Sequence, residues 1–141
     1  MPLDLSSLEN SLFAMNKILT RSLDHAFMDA QDEVTQNAIR AGVIQHFEIV
    51  FELCWKFIQR WIRQNRTPED SDLPRTRKEL FRMAARDGLV ADPLPWFEYA
   101  EARNLTSHTY HEEQAAVVYD TAFRFIKDAE FLLMRLKEKN D

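Results

Sequence analysis

Residues 43–62 read VIQHFEIVFELCWKFIQRWI, and this stretch decides the fold. Placed on a helical wheel at about 100° per residue, its apolar side chains cover almost the whole circumference. They are Val43, Ile44, Phe47, Ile49, Val50, Phe51, Leu53, Cys54, Trp55, Phe57, Ile58, Trp61 and Ile62. A helix that is apolar nearly all round needs other helices around it. The sequence therefore predicts a central helix from about Asp32 to Asn65, in which Gly42 marks a bend or a close helix contact.

One narrow polar stripe interrupts this helix, formed by Gln45, Glu48, Glu52 and Lys56. Glu52 and Lys56 are a favourable pair four residues apart, which a solvated stripe would also contain. However, apolar positions flank the stripe on both sides, and carboxylates among apolar residues rarely lack a partner. We therefore expect these acids to meet a cation from another helix.

The segments before and after the central helix are also helical in pattern. Leucines and a methionine recur every three or four residues and predict a first helix over 6–27, followed by a polar connection over 28–32. Residues 66–73 are polar and predict a loop. Pro74 suits the first turn of a third helix, and Gly88 suits its C-terminal cap.

The last two helices have clear start signals. Asp92 and Pro93 form a capping pair that opens a fourth helix, which should carry Leu94, Trp96, Phe97 and Ala100 inward and end near Asn104. A final helix should begin at His111 or Glu112. Its apolar residues follow a three-four spacing typical of antiparallel bundles, and they are Ala115, Val118, Ala122, Phe125, Ala129, Leu132 and Leu136.

Composition agrees with a single all-α domain over residues 1–141. The chain has 45% hydrophobic and 29% charged residues but only two glycines and five prolines, too few turn residues for a β-sandwich. We predict an antiparallel, up-and-down bundle of four or five helices. The single Cys54 indicates a reducing compartment, and neither a membrane span nor a signal peptide is evident. We therefore expect a cytoplasmic protein that does not insert into membranes.

Charge is distributed unevenly along the chain. The net charge is −5, which argues against a general nucleic-acid binder. Yet residues 56–86 hold nine Lys/Arg against four Asp/Glu, a local balance of +5, while 1–55 and 87–141 each carry −5. This pattern is compatible with a basic surface on an acidic protein and equally with a solvated helix face.

The segment RNLTSHTY at residues 103–110 concentrates groups that can do chemistry. Arg103 offers a planar cation for phosphate or carboxylate, His108 can exchange a proton near neutral pH, Asn104 adds an amide and Tyr110 adds a phenol. The predicted junction of two helices also exposes backbone N–H groups. A polar turn with Arg and His is common in structural roles, so spacing alone leaves both a structural and a functional reading open.

Longer stretches of the chain resemble a known family. They are GVIQHFE at 42–48, ELCWK at 52–56, Gly88-Leu89 and EARNLTSHTY at 101–110. Together they closely resemble the nucleotidyltransferase substrate-binding protein family, a member of the HEPN class of helical bundles. The resemblance extends over about residues 5–138 and implies a HEPN-like fold.

The resemblance also implies functions for the polar segment. Such proteins are partners of a small, separately encoded nucleotidyltransferase, and the pair resembles a toxin–antitoxin system. Arg103, Asn104 and His108 match the HEPN signature, whose residues in active members cut RNA without metal. In the form of this signature that has a tyrosine two residues after the histidine, here Tyr110, the resemblance implies that the phenol accepts a nucleotidyl group.

Two functions follow as expectations. The first is a substrate-binding HEPN subunit that binds the nucleotidyltransferase and a nucleotide or RNA. The second is a metal-independent endoribonuclease toxin that uses Arg103 and His108. A bundle whose site has decayed is a third reading, although the intact motif argues against it. The chain has no Gly-Ser followed by a paired-aspartate Asp-x-Asp, which is the signature of the transferase itself, and we predict no cofactor and no metal site.

The sequence also gives two structural expectations. Glu48 or Glu52 should approach Arg103 or His108 across the bundle, because a carboxylate would orient the arginine and favour the charged histidine. We also expect a homodimer, since the central helix has more apolar directions than four neighbours would cover, and HEPN relatives tend to pair their sites across a dimer interface.

Overall fold

The computed structural model describes residues 2–65, 74–108 and 111–140, with only the backbone described at His108. These residues form six α-helices and one short 3₁₀ turn. They are α1 (Ser6–Leu23), α2 (His25–Asp29), α3 (Glu33–Asn65), α4 (Arg77–Arg86), α5 (Pro93–Leu105), the 3₁₀ turn (Thr106–His108) and α6 (Glu112–Glu138). No strand occurs within these ranges. The all-α bundle predicted from the sequence is confirmed.

Helix α3 is the centre of the bundle, as its apolar pattern predicts. It contacts α1, α4, α5 and α6. The buried ring of Phe51 lies about midway along α3, with ring centroids of Phe81 on α4, Trp96 on α5 and Phe125 on α6 at 6.1, 6.4 and 6.2 Å. Burial of these large rings is the main source of stability in such a core. Cys54 is fully buried beside them, and burial raises the pKa of its thiol, so it packs as a small apolar residue.

The first helix is shorter than predicted. Asp24 has extended backbone angles (φ −78°, ψ 97°), which end α1 at Leu23. Its carboxylate accepts a hydrogen bond from the Phe27 N–H at 3.1 Å and so caps a separate short helix, α2. The predicted continuous helix over 6–27 is wrong because a short acidic side chain competes for backbone N–H groups and starts a new helix.

The ends of α4 and α5 follow capping chemistry. Helix α4 begins after Thr76, whose hydroxyl accepts from the Glu79 N–H at 3.1 Å, so placing Pro74 in its first turn is wrong. Asp92 caps α5 and Pro93 is its first residue, as predicted. Leu94 is 65% exposed, contrary to prediction, and Tyr99 is the residue buried instead.

Tyr99 brings a polar group to the edge of the core. Its ring packs against Trp96 and Phe125, and its hydroxyl donates a hydrogen bond to Asp128 on α6. Burial, followed by this hydrogen bond, raises the pKa of Tyr99, so the phenol stays neutral. The contact fixes α5 against α6, whose apolar seam, predicted from Ala115 to Leu136, is half-buried at Ala115 and buried from Val118 to Leu136.

Gly88 ends α4 in a Schellman motif. Its φ is +80°, the Leu89 N–H donates to the Ala84 carbonyl at 2.8 Å, and the Gly88 N–H donates to the Ala85 carbonyl at 3.2 Å. The predicted glycine cap is therefore confirmed. The Gly88 carbonyl also accepts from Arg135 Nε at 2.7 Å, which fixes the turn on α6.

Gly88→Ala should lower the free energy of unfolding by about 1–2 kcal/mol, because a Cβ is disfavoured at this positive φ. The added Cβ would also lie 3.1 Å from Arg135 Nη2. Urea unfolding followed by circular dichroism measures the change. Gly42→Ala is the control, since Gly42 has no positive φ and its Cβ, 2.5 Å from Ile18 Cδ1, would have to displace only the flexible end of that side chain on α1. Equal losses in the two variants would contradict the role of the positive φ.

Candidate functional site

Arg103 lies in the last turn of α5, and its guanidinium faces the polar stripe of α3. Its Nε donates to Glu52 Oε1 at 2.9 Å, and its Nη2 lies 3.4 Å from Glu48 Oε1. The side chains of Arg103 and Glu52 are 27% and 25% exposed, so the pair lies at the rim of the bundle. The prediction that Glu48 or Glu52 approaches Arg103 is confirmed.

The 3₁₀ turn after α5 supplies a further contact. Arg103 Nη1 donates to Thr106 Oγ1 at 3.0 Å, and the Thr106 hydroxyl donates to the Arg103 carbonyl at 2.7 Å. Three elements therefore orient this guanidinium: the polar edge of α3, the end of α5 and the 3₁₀ turn. We call Arg103, Glu48, Glu52 and Thr106 the Arg103 site.

The remaining residues of the predicted motif surround this site in different ways. Asn104 is exposed, and its carbonyl accepts from Ser107 Oγ at 3.2 Å. The His108 backbone ends the 3₁₀ turn, two residues after Thr106, which holds Arg103. The His108 side chain and the whole of Tyr110 lie outside the described residues, so their predicted roles remain predictions.

The two ends of the polar stripe do not join the site. Gln45 and Lys56 are both exposed. Among the described residues, no hydrogen bond or ion pair connects either of them to Arg103. Glu52 is paired with Arg103 rather than with Lys56. The middle of the stripe, at Glu48 and Glu52, is therefore the part that faces another helix.

Glu52 also binds two residues that the sequence did not indicate. Trp55 Nε1 donates to Glu52 Oε2 at 2.8 Å, and Arg77 Nη2 lies 3.9 Å from Glu52 Oε1. The Arg77 guanidinium carbon lies 4.9 Å from the centroid of the Trp55 ring. Because these contacts fix the carboxylate, they also limit the positions available to Arg103. The sequence contained a signal for the Trp55 contact, since Trp55 follows Glu52 by about one helical turn, but none for Arg77.

A cleft lies between the N-terminal halves of α3 and α6. Its volume is about 490 Å³, and its lining includes Asn37, Arg40, Ile44, Glu112 and Tyr119. Ile44 precedes Glu48 by about one turn of α3, but none of the residues that line the cleft belongs to the Arg103 site.

Chemically, the site presents a permanently charged guanidinium in a fixed orientation. Such a group suits recognition of phosphate or carboxylate. Among the described residues, no group of three or more His, Cys, Asp or Glu side chains is arranged to hold a metal ion. No described helix has the length and apolar character needed to cross a membrane.

The fold and the site define a class: an all-α bundle in which a carboxylate-oriented arginine precedes a histidine at the junction of two helices. Residues 3–138 match the family described as "Nucleotidyltransferase substrate binding protein like". The chain belongs to this family, as its resemblance predicted.

The chain is similar to one named protein and two solved structures. It is 33% identical over 138 residues to a "Probable ribonuclease HepT" of Haemophilus influenzae, covering 98% of this chain and 94% of that protein. A solved structure from Haemophilus influenzae, described as revealing the fold of a substrate binding domain of a nucleotidyltransferase, has a TM-score of 0.89 at 33% identity, covering 95% and 99% of the two chains. A crystal structure from Thermus thermophilus has a TM-score of 0.61 at 27% identity, covering 86% and 98%.

Proposed function

We propose that this protein is the HEPN-type subunit of a two-component nucleotidyltransferase system, and that it is itself a metal-independent endoribonuclease. The single observation that carries the proposal is the Arg103 site. It holds a guanidinium in place immediately before the turn that ends at His108. The relative named as a probable ribonuclease, which is similar over 98% of this chain, favours cleavage over passive binding.

The proposed chemistry uses the RNA's own 2′-hydroxyl. Arg103 holds the scissile phosphate with N–H groups that its contacts with Glu52 and Thr106 leave available. The 2′-oxygen attacks phosphorus, the 5′-oxygen of the next nucleotide leaves, and the product is a 2′,3′-cyclic phosphate with a free 5′-hydroxyl. His108 takes the proton from the 2′-hydroxyl or gives one to the leaving oxygen, and solvent water takes part in the other proton transfer.

The carboxylates orient Arg103 and do not take part in the reaction themselves. Glu52→Gln keeps the size of the side chain but removes the charge that holds Arg103 and Arg77. Because small misplacements of a phosphate-binding group are costly, cleavage should fall about tenfold. Single-turnover cleavage of a labelled RNA measures the loss.

Glu98→Gln is the matched control for this substitution. Glu98 pairs with Arg124 at 2.8 Å on the exposed faces of α5 and α6, away from the Arg103 site. It should change cleavage less than twofold. A Glu52→Gln variant as active as this control would contradict the positioning role of Glu52.

The second half of the proposal is that the protein binds a nucleotidyltransferase partner. The description of the family and that of the similar Haemophilus influenzae structure both refer to substrate binding for a nucleotidyltransferase. We propose that a neighbouring gene encodes the partner. We also propose that the protein is a homodimer in the cytoplasm. Tyr110 is the proposed acceptor of a nucleotidyl group, with its phenol oxygen attacking the α-phosphate and releasing pyrophosphate.

Tyr110→Phe should prevent modification by the partner while leaving RNA cleavage intact, since phenylalanine removes only the attacking oxygen. Co-expression with the neighbouring nucleotidyltransferase followed by intact mass measurement tests this. The wild type should gain the mass of one or more nucleotidyl groups with the partner, and the variant none. Modified Tyr110→Phe protein would contradict the assignment. Unmodified wild type that also fails to cut RNA would leave only passive substrate binding.

A further inference from the structure

Helix α4 has a basic face that the Arg103 site does not explain. Lys78, Arg82 and Arg86 follow one another every four residues and are all exposed. At 1.5 Å per residue they form a row with steps of about 6 Å. None of the ion pairs among the described residues involves these three side chains. We call them, together with Arg77 at the start of the helix, the α4 basic face.

Aromatic rings hold three of these cations in place. Lys78 Nζ and the Arg82 guanidinium lie 5.8 and 5.5 Å from the centroid of Phe97 on α5. The Arg77 guanidinium lies 4.9 Å from the ring centroid of Trp55 on α3. Cation–π contact fixes such a group while its outer side stays open to a ligand. A guanidinium held flat can stack on a base and donate N–H groups to phosphate.

The α4 basic face reaches the Arg103 site only at the first turn of α4, because the helical wheel places Arg77 about 100° from Lys78 and about 180° from Arg86. Arg77 lies 3.9 Å from Glu52, and the same carboxylate oxygen accepts from Arg103 at 2.9 Å. A polyanion lying along Lys78, Arg82 and Arg86 would therefore cross the first turn of α4 to reach Arg77, which lies next to Arg103 on Glu52. The protein has a net charge of −5, which repels polyanions overall. The row formed by Lys78, Arg82 and Arg86 would attract them locally.

We propose that the α4 basic face binds the backbone of single-stranded RNA and leads the strand to the Arg103 site. This rests on the proposed ribonuclease function and extends it to a substrate track. Phosphates lie against the row formed by Lys78, Arg82 and Arg86. The guanidinium groups of Arg77 and Arg82, each held over an aromatic ring, stack on unpaired bases. Because such stacking needs no base-specific hydrogen bonds, binding is independent of sequence.

The test measures binding separately from cleavage. The probe is a fluorescent, single-stranded oligonucleotide of about 20 nucleotides with 2′-O-methyl groups throughout, which cannot be cut through a 2′-hydroxyl. Fluorescence anisotropy gives Kd at several salt concentrations. Lys78→Gln/Arg82→Gln should raise Kd about tenfold and reduce the slope of log K against log salt by about 1.4, or about 0.7 for each lost phosphate contact.

The chain offers a closely matched control on α1. Lys17 and Arg21 are also a Lys–Arg pair four residues apart, and they lie 4.3 and 4.7 Å from the ring centroids of Phe13 and Phe27. Lys17→Gln/Arg21→Gln makes the same charge change in helix α1, which does not belong to the proposed track. It should change Kd less than twofold and leave the salt slope unchanged.

Two outcomes would overturn the proposal. Equal weakening by both double variants would mean that only net charge matters. Wild type that binds poly-glutamate as tightly as the oligonucleotide would indicate an acidic protein partner instead. If Lys78→Gln/Arg82→Gln alters the circular dichroism spectrum, Arg86→Gln is used, with an expected slope reduction of about 0.7. Oligonucleotide binding without RNA cleavage would support the track and contradict the ribonuclease function.

Discussion

Replacing His108 with alanine should lower the rate of RNA cleavage by about 10²–10⁴-fold, the usual cost of losing a general acid or base. Alanine removes the imidazole while leaving Arg103 and its contacts with Glu52 and Thr106 in place. Binding of RNA should therefore change much less than the cleavage rate. Single-turnover cleavage at saturating protein, with Kd measured in parallel, separates these two effects.

His46→Ala is the matched control for this prediction. His46 lies on α3, where its Nδ1 is 2.8 Å from the Gly42 carbonyl, and the wheel places it about 160° away from Glu48. Its loss should change cleavage less than twofold. A His108→Ala variant that cuts RNA as fast as His46→Ala would show that His108 transfers no proton in the reaction.

Trp96→Ala should cost about 3–5 kcal/mol of unfolding free energy, as expected for removing a large buried ring. Trp96 is only 1% exposed, and its ring centroid lies 5.3 to 5.8 Å from those of Phe81, Tyr99 and Phe125. The substitution leaves a cavity where α4, α5 and α6 meet α3. Urea denaturation followed by circular dichroism and by fluorescence measures the loss.

Leu94→Ala tests whether the loss comes from burial. Leu94 is on the same helix, two residues earlier, but is 65% exposed, so its replacement should change stability by less than about 0.5 kcal/mol. Comparable losses in the two variants would contradict the packing of α5 against the core. The sequence pattern predicts that both residues point inward, so the comparison separates that prediction from the structure.

The fold was predictable where one physical signal dominates. The apolar circumference of α3, the Asp92–Pro93 cap and the Gly88 cap each require one local structure, and all three are found. The errors lie where signals compete. Asp24 interrupts an otherwise helical apolar pattern by capping α2, and Leu94 lies outside the core because Tyr99, with its hydroxyl on Asp128, occupies the buried side of α5.

The candidate site was predictable only in part for a similar reason. Carboxylates between apolar positions on α3 indicated a cation from another helix, and Arg103 is that cation. Arg77 could not be assigned, because its contact with Glu52 depends on how α4 packs against α3. Periodicity within one helix carries no information on such a distance between helices.

Cleavage of a single-stranded RNA in excess EDTA tests the ribonuclease function most directly. The substrate contains one 2′-deoxynucleotide within an otherwise unmodified strand, and the products are separated on a denaturing gel. We predict that wild type cuts the strand with all divalent metal chelated, leaves the bond after the 2′-deoxynucleotide intact, and produces 2′,3′-cyclic phosphate ends. Cleavage that requires a divalent metal, or that occurs after the 2′-deoxynucleotide, would contradict a mechanism in which Arg103 and His108 act on the ribose 2′-hydroxyl.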